Sequence, residues 1–159
     1  MALVEANISV SLDGYVTGPG VERAPGLGEG GEALHAWTGD EQGRRLLDDD
    51  FAACGAVITS RRVYEDTGGW GEDGQLLPAH PSLGDAVEVG FYNMPVFVVT
   101  HRPHEPVVKS ATTFTFVTDG IAAAVTRAAD AAGDKLVSIM AARASSGRPW
   151  TPVWSTASA

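Results

Sequence analysis

Short runs of apolar, β-branched residues alternate along this chain with segments whose composition suits helices, and this alternation constrains the fold more than any other feature. In the strongest run, residues 95–100, a proline precedes four consecutive apolar residues. Runs that are apolar on every side chain are typical of strands in a parallel sheet covered by helices on both faces. The chain therefore predicts an α/β fold of three layers, with a mainly parallel sheet between helices. The predicted strands are residues 6–11, 56–59, 95–100, 113–117 and 135–140, and the predicted helices are residues 41–54, 61–65 and 120–132.

Residues with known capping preferences set the expected helix boundaries. Gly55 is expected to end the first helix, because glycine tolerates the left-handed geometry of a helix end. Ser60 is expected to cap the second helix through its hydroxyl. Asp119 and Gly133 are expected to begin and end the third.

The rest of the chain predicts loops and a single domain. Residues 17–31 and 67–90 are rich in glycine and proline and predict irregular segments, with a helical turn over residues 33–37 between them. No linker divides the chain, so we expect one domain over residues 1–140. Residues 141–159 have neither a helical nor a strand period, and by composition they form a tail.

Charge and cysteine content exclude several classes of protein. The chain has 11 basic and 20 acidic residues, a net charge of −9, so we expect neither nucleic acid nor an anionic membrane as a partner. Cys54 is the single cysteine, which excludes an internal disulfide and a multi-cysteine metal site. No apolar run approaches the roughly 18 residues of a membrane helix. The opening residues carry no charged leader, so we expect a cytoplasmic protein.

Two groups of cationic and hydroxyl side chains follow predicted strands in this otherwise acidic chain. Thr59, Ser60, Arg61 and Arg62 follow one strand, and residues 100–102, Thr-His-Arg, follow another. Ligands of α/β sheets bind beyond the carboxyl ends of strands, and guanidinium groups suit phosphate oxygens. The two groups together predict a phosphorylated ligand, although any single arginine is more often a solvated surface charge.

Other candidate groups carry weaker signals. His35 and Trp37 either line a pocket below the N-terminal loop or simply pack together, and Cys54 is expected in the core. Residues 48–50 are three aspartates on a helix face and predict solvation rather than a metal site. The chain has no glycine-rich dinucleotide fingerprint, no phosphate-loop lysine and no serine nucleophile elbow, so other common α/β enzyme classes lack support.

Five segments of the chain carry a recognisable pattern, namely residues 7–19, 34–37, 56–65, 95–103 and 114–120. In this order they resemble the dihydrofolate reductase-like family, in particular the proteins related to the reductase domain of the bifunctional riboflavin-biosynthesis deaminase–reductase. No single motif is specific to the family, but the order of the motifs along the chain is, and the resemblance covers residues 6–140.

This resemblance implies an oxidoreductase that uses NADPH to reduce a small flat heterocycle, such as a pteridine or an aminopyrimidine. Because proteins of the family often form dimers, it also allows a homodimer. No residue matches the helix carboxylate that protonates pterin in true dihydrofolate reductases, so no catalytic residue is assigned. The implied substrate-binding residues are Ser11, Asp13, Gly14, His35 and Trp37, and the implied cofactor-binding residues are Thr59, Ser60, Arg61, Arg62, Thr100, His101, Arg102, Thr118, Met140 and Ala141.

The chain departs from the family pattern most strongly after Met140. The family has a glycine pair there, where this chain has Ala141 and Ala142. We hypothesise that residues 141–159 arose by a one-base deletion in the coding DNA, because reading one base out of register can restore the glycine pair and an amphipathic helix. On this hypothesis the C-terminal strands of the family fold are missing and the first strand has an open edge. Weak NADPH binding is then expected, and the alternatives are a non-catalytic nucleotide or flavin binder, or an inactive remnant of a reductase.

Overall fold

The computed structural model describes residues 2–20, 27–66, 93–109 and 111–140. It shows an α/β fold built on a six-stranded sheet. The irregular segment expected over residues 67–90 and the tail expected over residues 141–159 lie outside the described residues. The strands are β1 Val4–Asn7, β2 Cys54–Ser60, β3 Val96–Val99, β4 Val107–Lys109, β5 Thr112–Val117 and β6 Leu136–Met140; the helices are a 3₁₀ helix Gly31–Gly39, α1 Glu41–Ala53, α2 Arg61–Asp66 and α3 Ile121–Ala132.

The strands lie in the order β1-β6-β2-β3-β5-β4. The first five run parallel, and β4 pairs with β5 in the antiparallel direction. The mainly parallel α/β sheet expected from the sequence is therefore confirmed. The sequence did not predict β4, which has only three residues and follows Pro106.

Helices cover both faces of the sheet, and the residues of each strand alternate between them. Ile58, Phe97, Val117 and Val137 pack against α3, and we call this side the α3 face. On the opposite side, the α2 face, strand residues including Val57, Val98 and Phe114 pack with Val63 and Tyr64 of α2. Helix α1 also contacts the α2 face. Met140 packs in the core of this face, and its register partner Asn7 therefore lies on the same face. The Asn7 side-chain amide donates to the Asp50 carboxylate of α1 over 3.2 Å.

Two expected helix boundaries are wrong, and each has a physical reason. Helix α1 ends at Ala53 and β2 begins at Cys54, so Gly55 lies within a strand instead of capping a helix. A Cβ on Gly55 would lie 2.9 Å from the Cα of Ala132, so the glycine is needed for close approach of α3. Gly120, without a side-chain cap, precedes α3, because the carboxylate of Asp119 instead accepts from Arg127 over 2.9 Å.

Two other predicted helix boundaries are confirmed, and the first strand begins earlier in the chain than predicted. The Ser60 hydroxyl accepts from the Val63 N–H over 3.2 Å, and Gly133 follows α3 with a φ of 62°. The strand expected over residues 6–11 is Val4–Asn7, because that segment runs beside Val137–Met140. Beyond Asn7 the chain leaves the sheet and soon enters a turn.

Candidate functional site

The carboxyl ends of three neighbouring parallel strands bring the predicted cofactor-binding residues to one edge of the sheet. Ser60 at the end of β2 is in register with Val99 at the end of β3, and Val99 is in register with Val117 at the end of β5. Adjacent strands lie about 4.8 Å apart. The segments that begin at Arg61, Thr100 and Thr118 therefore leave the sheet side by side.

The first arginine at this edge, Arg61, forms an ion pair within α2. The Arg61 Nε lies 2.5 Å from a carboxylate oxygen of Glu65, and their side chains are 30% and 54% exposed. Arg62 is exposed and also has an interaction partner. Pairs of this kind on a helix surface contribute only about 0.3–0.5 kcal/mol, so a phosphate can compete for Arg61.

The turn after β3 is organised by the Thr100 side chain. The Thr100 hydroxyl oxygen accepts from the Arg102 N–H over 3.1 Å, and the Thr100 N–H donates to the Val117 carbonyl over 3.0 Å. The second bond continues the pairing of β3 with β5 past the end of β3. His101 and Arg102 are exposed beyond this turn, as is Thr118 at the end of β5.

Thr59 places a buried polar group just inside the same edge. Its side chain is 3% exposed, and its Oγ1 has no hydrogen-bond partner among the described residues. A buried hydroxyl without a partner costs about 1–3 kcal/mol, so such a group is unusual in a folded protein. Thr59 and Val57 are two residues apart in β2, so their side chains point to the same face of the sheet. The Thr59 hydroxyl therefore lies on the α2 face.

A compact turn after β1 holds three of the predicted substrate-binding residues. The Ser11 hydroxyl donates to the Asp13 carboxylate over 2.6 Å and accepts from the Tyr15 N–H over 2.8 Å. The Gly14 N–H donates to the Ser11 carbonyl over 2.9 Å. These bonds fix Ser11, Asp13 and Gly14 relative to one another, with Asp13 exposed.

The 3₁₀ helix carries the other two predicted substrate-binding residues and is attached to the segment after β1. The Trp37 indole N–H donates to the Ser9 hydroxyl over 3.1 Å, and Trp37 is half-buried. His35 is exposed, and its carbonyl accepts from the hydroxyl of Thr38, which is buried. The structure therefore associates Trp37 with the segment that leads into the Ser11 turn.

Strand β6 separates the two groups of predicted residues. It lies between β1 and β2, with Met140 in register with Asn7 and Ile139 in register with Ile58. The segment after β1 and the cationic segments after β2 and β3 thus leave the same edge of the sheet on either side of Met140. Met140 is half-buried against the core of the α2 face, and Ala141 lies outside the described residues.

An aromatic cluster beside the arginines was not singled out by the sequence. The Tyr64 ring lies 5.2 Å from both Phe114 and Phe116, edge to face, and the His104 ring lies 4.5 Å from Phe116. Burial raises the pKa of the Tyr64 hydroxyl, against the opposing effect of the nearby Arg61 charge. The alternation of Phe114 and Phe116 along one strand was the signal that could have located the cluster, but the contact with His104 depends on the loop after β3.

Comparisons with known proteins leave the family of this chain open. We compared the sequence with models of protein families and with curated proteins, and neither comparison gives a match.

In the part of the chain that the structure describes, no helix has both the length and the apolar character needed to cross a membrane. The same residues contain no cluster of three or more His, Cys, Asp or Glu side chains suited to a metal ion.

Proposed function

We propose that the chain binds NADPH along the carboxyl edge of β2, β3 and β5 and is a dihydrofolate reductase-like reductase of a small flat heterocycle, such as a pteridine or an aminopyrimidine. One observation carries this proposal: segments with arginine, histidine and hydroxyl groups follow the adjacent parallel strands β2 and β3, and Thr118 follows the next parallel strand, β5. Ligands of α/β sheets bind at this kind of edge.

Electrostatics favours a ligand with several phosphates at this edge. Four cationic or titratable side chains, those of Arg61, Arg62, His101 and Arg102, follow β2 and β3 in a chain whose net charge is −9. Elsewhere an acidic surface repels anions, so a phosphorylated ligand is directed to this edge. Arg61 and Arg62 suit the pyrophosphate, and the turn at Thr100 with His101 and Arg102 suits the 2′-phosphate that distinguishes NADPH from NADH.

The Thr59 hydroxyl bears on whether the residues at this edge suit a bound nicotinamide dinucleotide. Its buried hydroxyl lacks a partner among the described residues and lies one residue before the end of β2. A hydrogen bond to a ligand group would satisfy it and remove the cost of leaving it unpaired.

The remaining residues have roles in holding the substrate. NADPH supplies a hydride when bound, and the protein orients the two flat rings against each other. The Ser11–Asp13–Gly14 turn and the Trp37 ring on the 3₁₀ helix, with His35 nearby in the same helix, would hold the heterocycle across the end of β6 from the cofactor phosphates.

Binding without turnover is the second candidate, because no residue of this chain matches the helix carboxylate that protonates pterin in true dihydrofolate reductases. Asp13 is the one carboxylate among the proposed substrate-binding residues, and it is exposed and accepts a hydrogen bond from the Ser11 hydroxyl within its own turn.

Titration calorimetry with NADP⁺ and NAD⁺ tests the cofactor proposal, with two matched arginine variants. Arg61→Gln removes a charge that would contact phosphate, and we expect NADP⁺ affinity to fall roughly tenfold or more. Arg45→Gln is the control, because Arg45 forms an equivalent pair with Glu41 at 2.5 Å on α1. Equal losses in both variants, or equal affinity for NADP⁺ and NAD⁺, would contradict the proposal. Consumption of NADPH with a pterin or aminopyrimidine then separates a reductase from a binding protein.

A further inference from the structure

Helices α1 and α3 differ in how much of their surface the rest of the fold covers. Helix α3 buries three of its twelve residues, whereas the one buried residue among the thirteen of α1 is Gly43. Leu46 of α1 is 53% exposed and Phe51 is 36% exposed. A helix on the surface of a domain normally buries an apolar stripe, so α1 keeps apolar surface that is still accessible.

Most of the exposed apolar surface lies at the end of the sheet where α1 and β1 meet. Of the nine large apolar side chains that are exposed in the described residues, seven belong to α1 or to the first 15 positions, and the other two are Val108 and Ile121. The Asn7 amide donates to the Asp50 carboxylate, so α1 adjoins the end of β1. A concentration of apolar surface of this kind marks an interaction site.

One side of α1 combines apolar surface with negative charge. Four exposed residues share this side because they follow the helical spacing i, i+4, i+7 and i+11, namely Gln42, Leu46, Asp49 and Ala53. We call these four residues the α1 stripe. Leu46 and Asp49 are neighbours at its centre, since residues three apart adjoin on a helix. Asp50 follows Leu46 by four residues and bonds to Asn7, so the stripe borders β1.

The two longest parts of the chain outside the described residues differ in charge. Residues 67–92 contain four acidic residues and no lysine or arginine, whereas residues 141–159 contain two arginines and no acidic residue. Asp49 lies between two further aspartates in α1, so this region repels an acidic segment and attracts a basic one. Charge complementarity therefore favours residues 141–159 as the segment that covers the α1 stripe.

Residues 141–159 also begin close to α1. Met140 is the register partner of Asn7, which bonds to Asp50. From Met140 to Leu46 the chain must cover one strand spacing, the side-chain contact with Asp50 and one helical turn, together about 20 Å. The ten residues from Met140 to Trp150 span about 33 Å when extended, so Trp150 is within reach of Leu46.

We propose that residues 141–159 dock on the α1 stripe, with the Trp150 ring covering Leu46 and the Arg148 guanidinium beside the Asp49 carboxylate. Pro149 favours an extended backbone here, in which Arg148 and Trp150 point to the same side about 6.6 Å apart. Neighbouring residues of a helix stripe are separated by about 5–6 Å, so the two spacings match. The ring buries apolar surface and the guanidinium pairs with a carboxylate. This docking is independent of the nucleotide site proposed above.

Fluorine NMR of the full chain labelled with 5-fluorotryptophan tests the docking. The Trp150 resonance, assigned with Trp150→Phe, is expected to lie apart from its position in the urea-unfolded chain. Leu46→Ala should move it to the unfolded position. Val108→Ala should leave it in place, because Val108 is 70% exposed on the opposite edge of the sheet. A Trp150 resonance at the unfolded position in the native chain, or one that responds equally to both variants, would overturn the proposal.

Two adjacent aspartates of α1 test the contribution of charge. Asp49→Asn removes the carboxylate of the α1 stripe and should lower the ratio of docked to undocked chain by up to about fivefold, the range of an exposed ion pair. Asp48→Asn is the control, because Asp48 is also exposed but lies about 100° further round the helix, outside the stripe. The Trp150 resonance reports both ratios. Equal ratios in the two variants would refute the placement of Arg148 beside Asp49.

Disulfide trapping locates the docked segment and distinguishes it from a second copy of the chain. Gln42→Cys lies in the α1 stripe, and Thr151→Cys lies next to Trp150. These two cysteines should form a link within one chain at least about fivefold faster than Val108→Cys with Thr151→Cys, because docking raises the local concentration of the thiols. Native Cys54 is buried and should not compete. Equal rates for the two pairs, or links formed only between chains, would show that residues 141–159 do not cover α1.

Discussion

The two faces of the sheet are built from different kinds of residue. On the α3 face, three alanines at four-residue spacing, Ala124, Ala128 and Ala132, pack almost completely buried against the strands. On the α2 face lie aromatic rings, a buried thiol and the two hydroxyl groups that are buried without a partner among the described residues. One face is close-packed and apolar, and the other combines packing with unsatisfied polar groups.

A ligand bound at the proposed site would account for part of this difference. The small, apolar residues of α3 need no explanation beyond packing, since they let the helix lie close to the sheet. Buried polar groups without partners lower stability, and they are expected where a ligand supplies the missing contact. Thr59 lies one residue before the end of β2, where the helix that carries Arg61 begins, whereas Thr112 lies at the start of β5, so only the Thr59 hydroxyl adjoins the proposed site.

The largest effect should come from enlarging a side chain on the α3 face. Ala128 is fully buried, so Ala128→Leu must push α3 away from the sheet, and we expect a loss of about 1–3 kcal/mol in the free energy of unfolding. Ala131→Leu is the control, because Ala131 is exposed on the same helix. Urea denaturation measures both. If the two variants were equally stable, α3 would not be packed as closely as the alanine spacing implies.

Sequence reasoning located the sheet and the helices but not the details that depend on packing. The continuous apolar runs and the serine cap of α2 are local signals, and they led to the correct elements. Gly55 was misread as a helix end because a glycine that permits close approach and one that ends a helix look alike in a sequence. What decides between them is the distance to Ala132, which is set by the tertiary fold.

The candidate site was predictable only in part, because some of its features depend on the tertiary fold. Cationic segments after strands can be recognised in a sequence, and the parallel order of the strands brings them to one edge. The Arg61–Glu65 pair has the spacing of a helical ion pair but was not predicted. The unpaired hydroxyl of Thr59 was not, because a sequence shows that a threonine is in a strand but not whether its hydroxyl finds a partner.

A smaller effect is expected from removing each unpaired hydroxyl on the α2 face. Thr59→Val and Thr112→Val each replace with a methyl group a buried hydroxyl that has no partner in the part of the chain that the structure describes, and we expect each to stabilise the protein by about 1 kcal/mol or less. The two residues lie at opposite ends of their strands, Thr59 near the carboxyl end of β2 and Thr112 at the start of β5.

Nucleotide binding separates these two variants. Thr59→Val should weaken NADP⁺ binding several-fold, because the candidate ligand edge loses a donor. Thr112→Val should leave NADP⁺ affinity unchanged, since it lies at the other end of the sheet. Calorimetric titration of both variants measures the difference. Unchanged NADP⁺ affinity in Thr59→Val would leave the two hydroxyls equivalent and would remove Thr59 from the site.

The smallest effect concerns the buried thiol of the α2 face and is confined to alkaline pH. Burial raises the pKa of Cys54, and the nearby Glu5 carboxylate raises it further, against backbone hydrogen bonds that lower it. The folded state therefore keeps the thiol proton at a pH where the unfolded chain, with a thiol pKa of about 8.5, has lost it. The stability that this proton contributes is fully present below pH 8.5 and is lost as the pH rises toward the folded-state pKa.

Unfolding free energies measured as a function of pH, in the native chain and in Cys54→Ala, isolate the contribution of this thiol. We expect a shallower alkaline decline in Cys54→Ala, with the two curves parallel below pH 8.5. The raised pKa of Tyr64 acts in the same direction at higher pH, so some decline should persist in the variant. If the native chain and Cys54→Ala declined equally, the thiol would titrate alike in both states. The α2 face would then hold its cysteine in contact with solvent, unlike the closed packing of the α3 face.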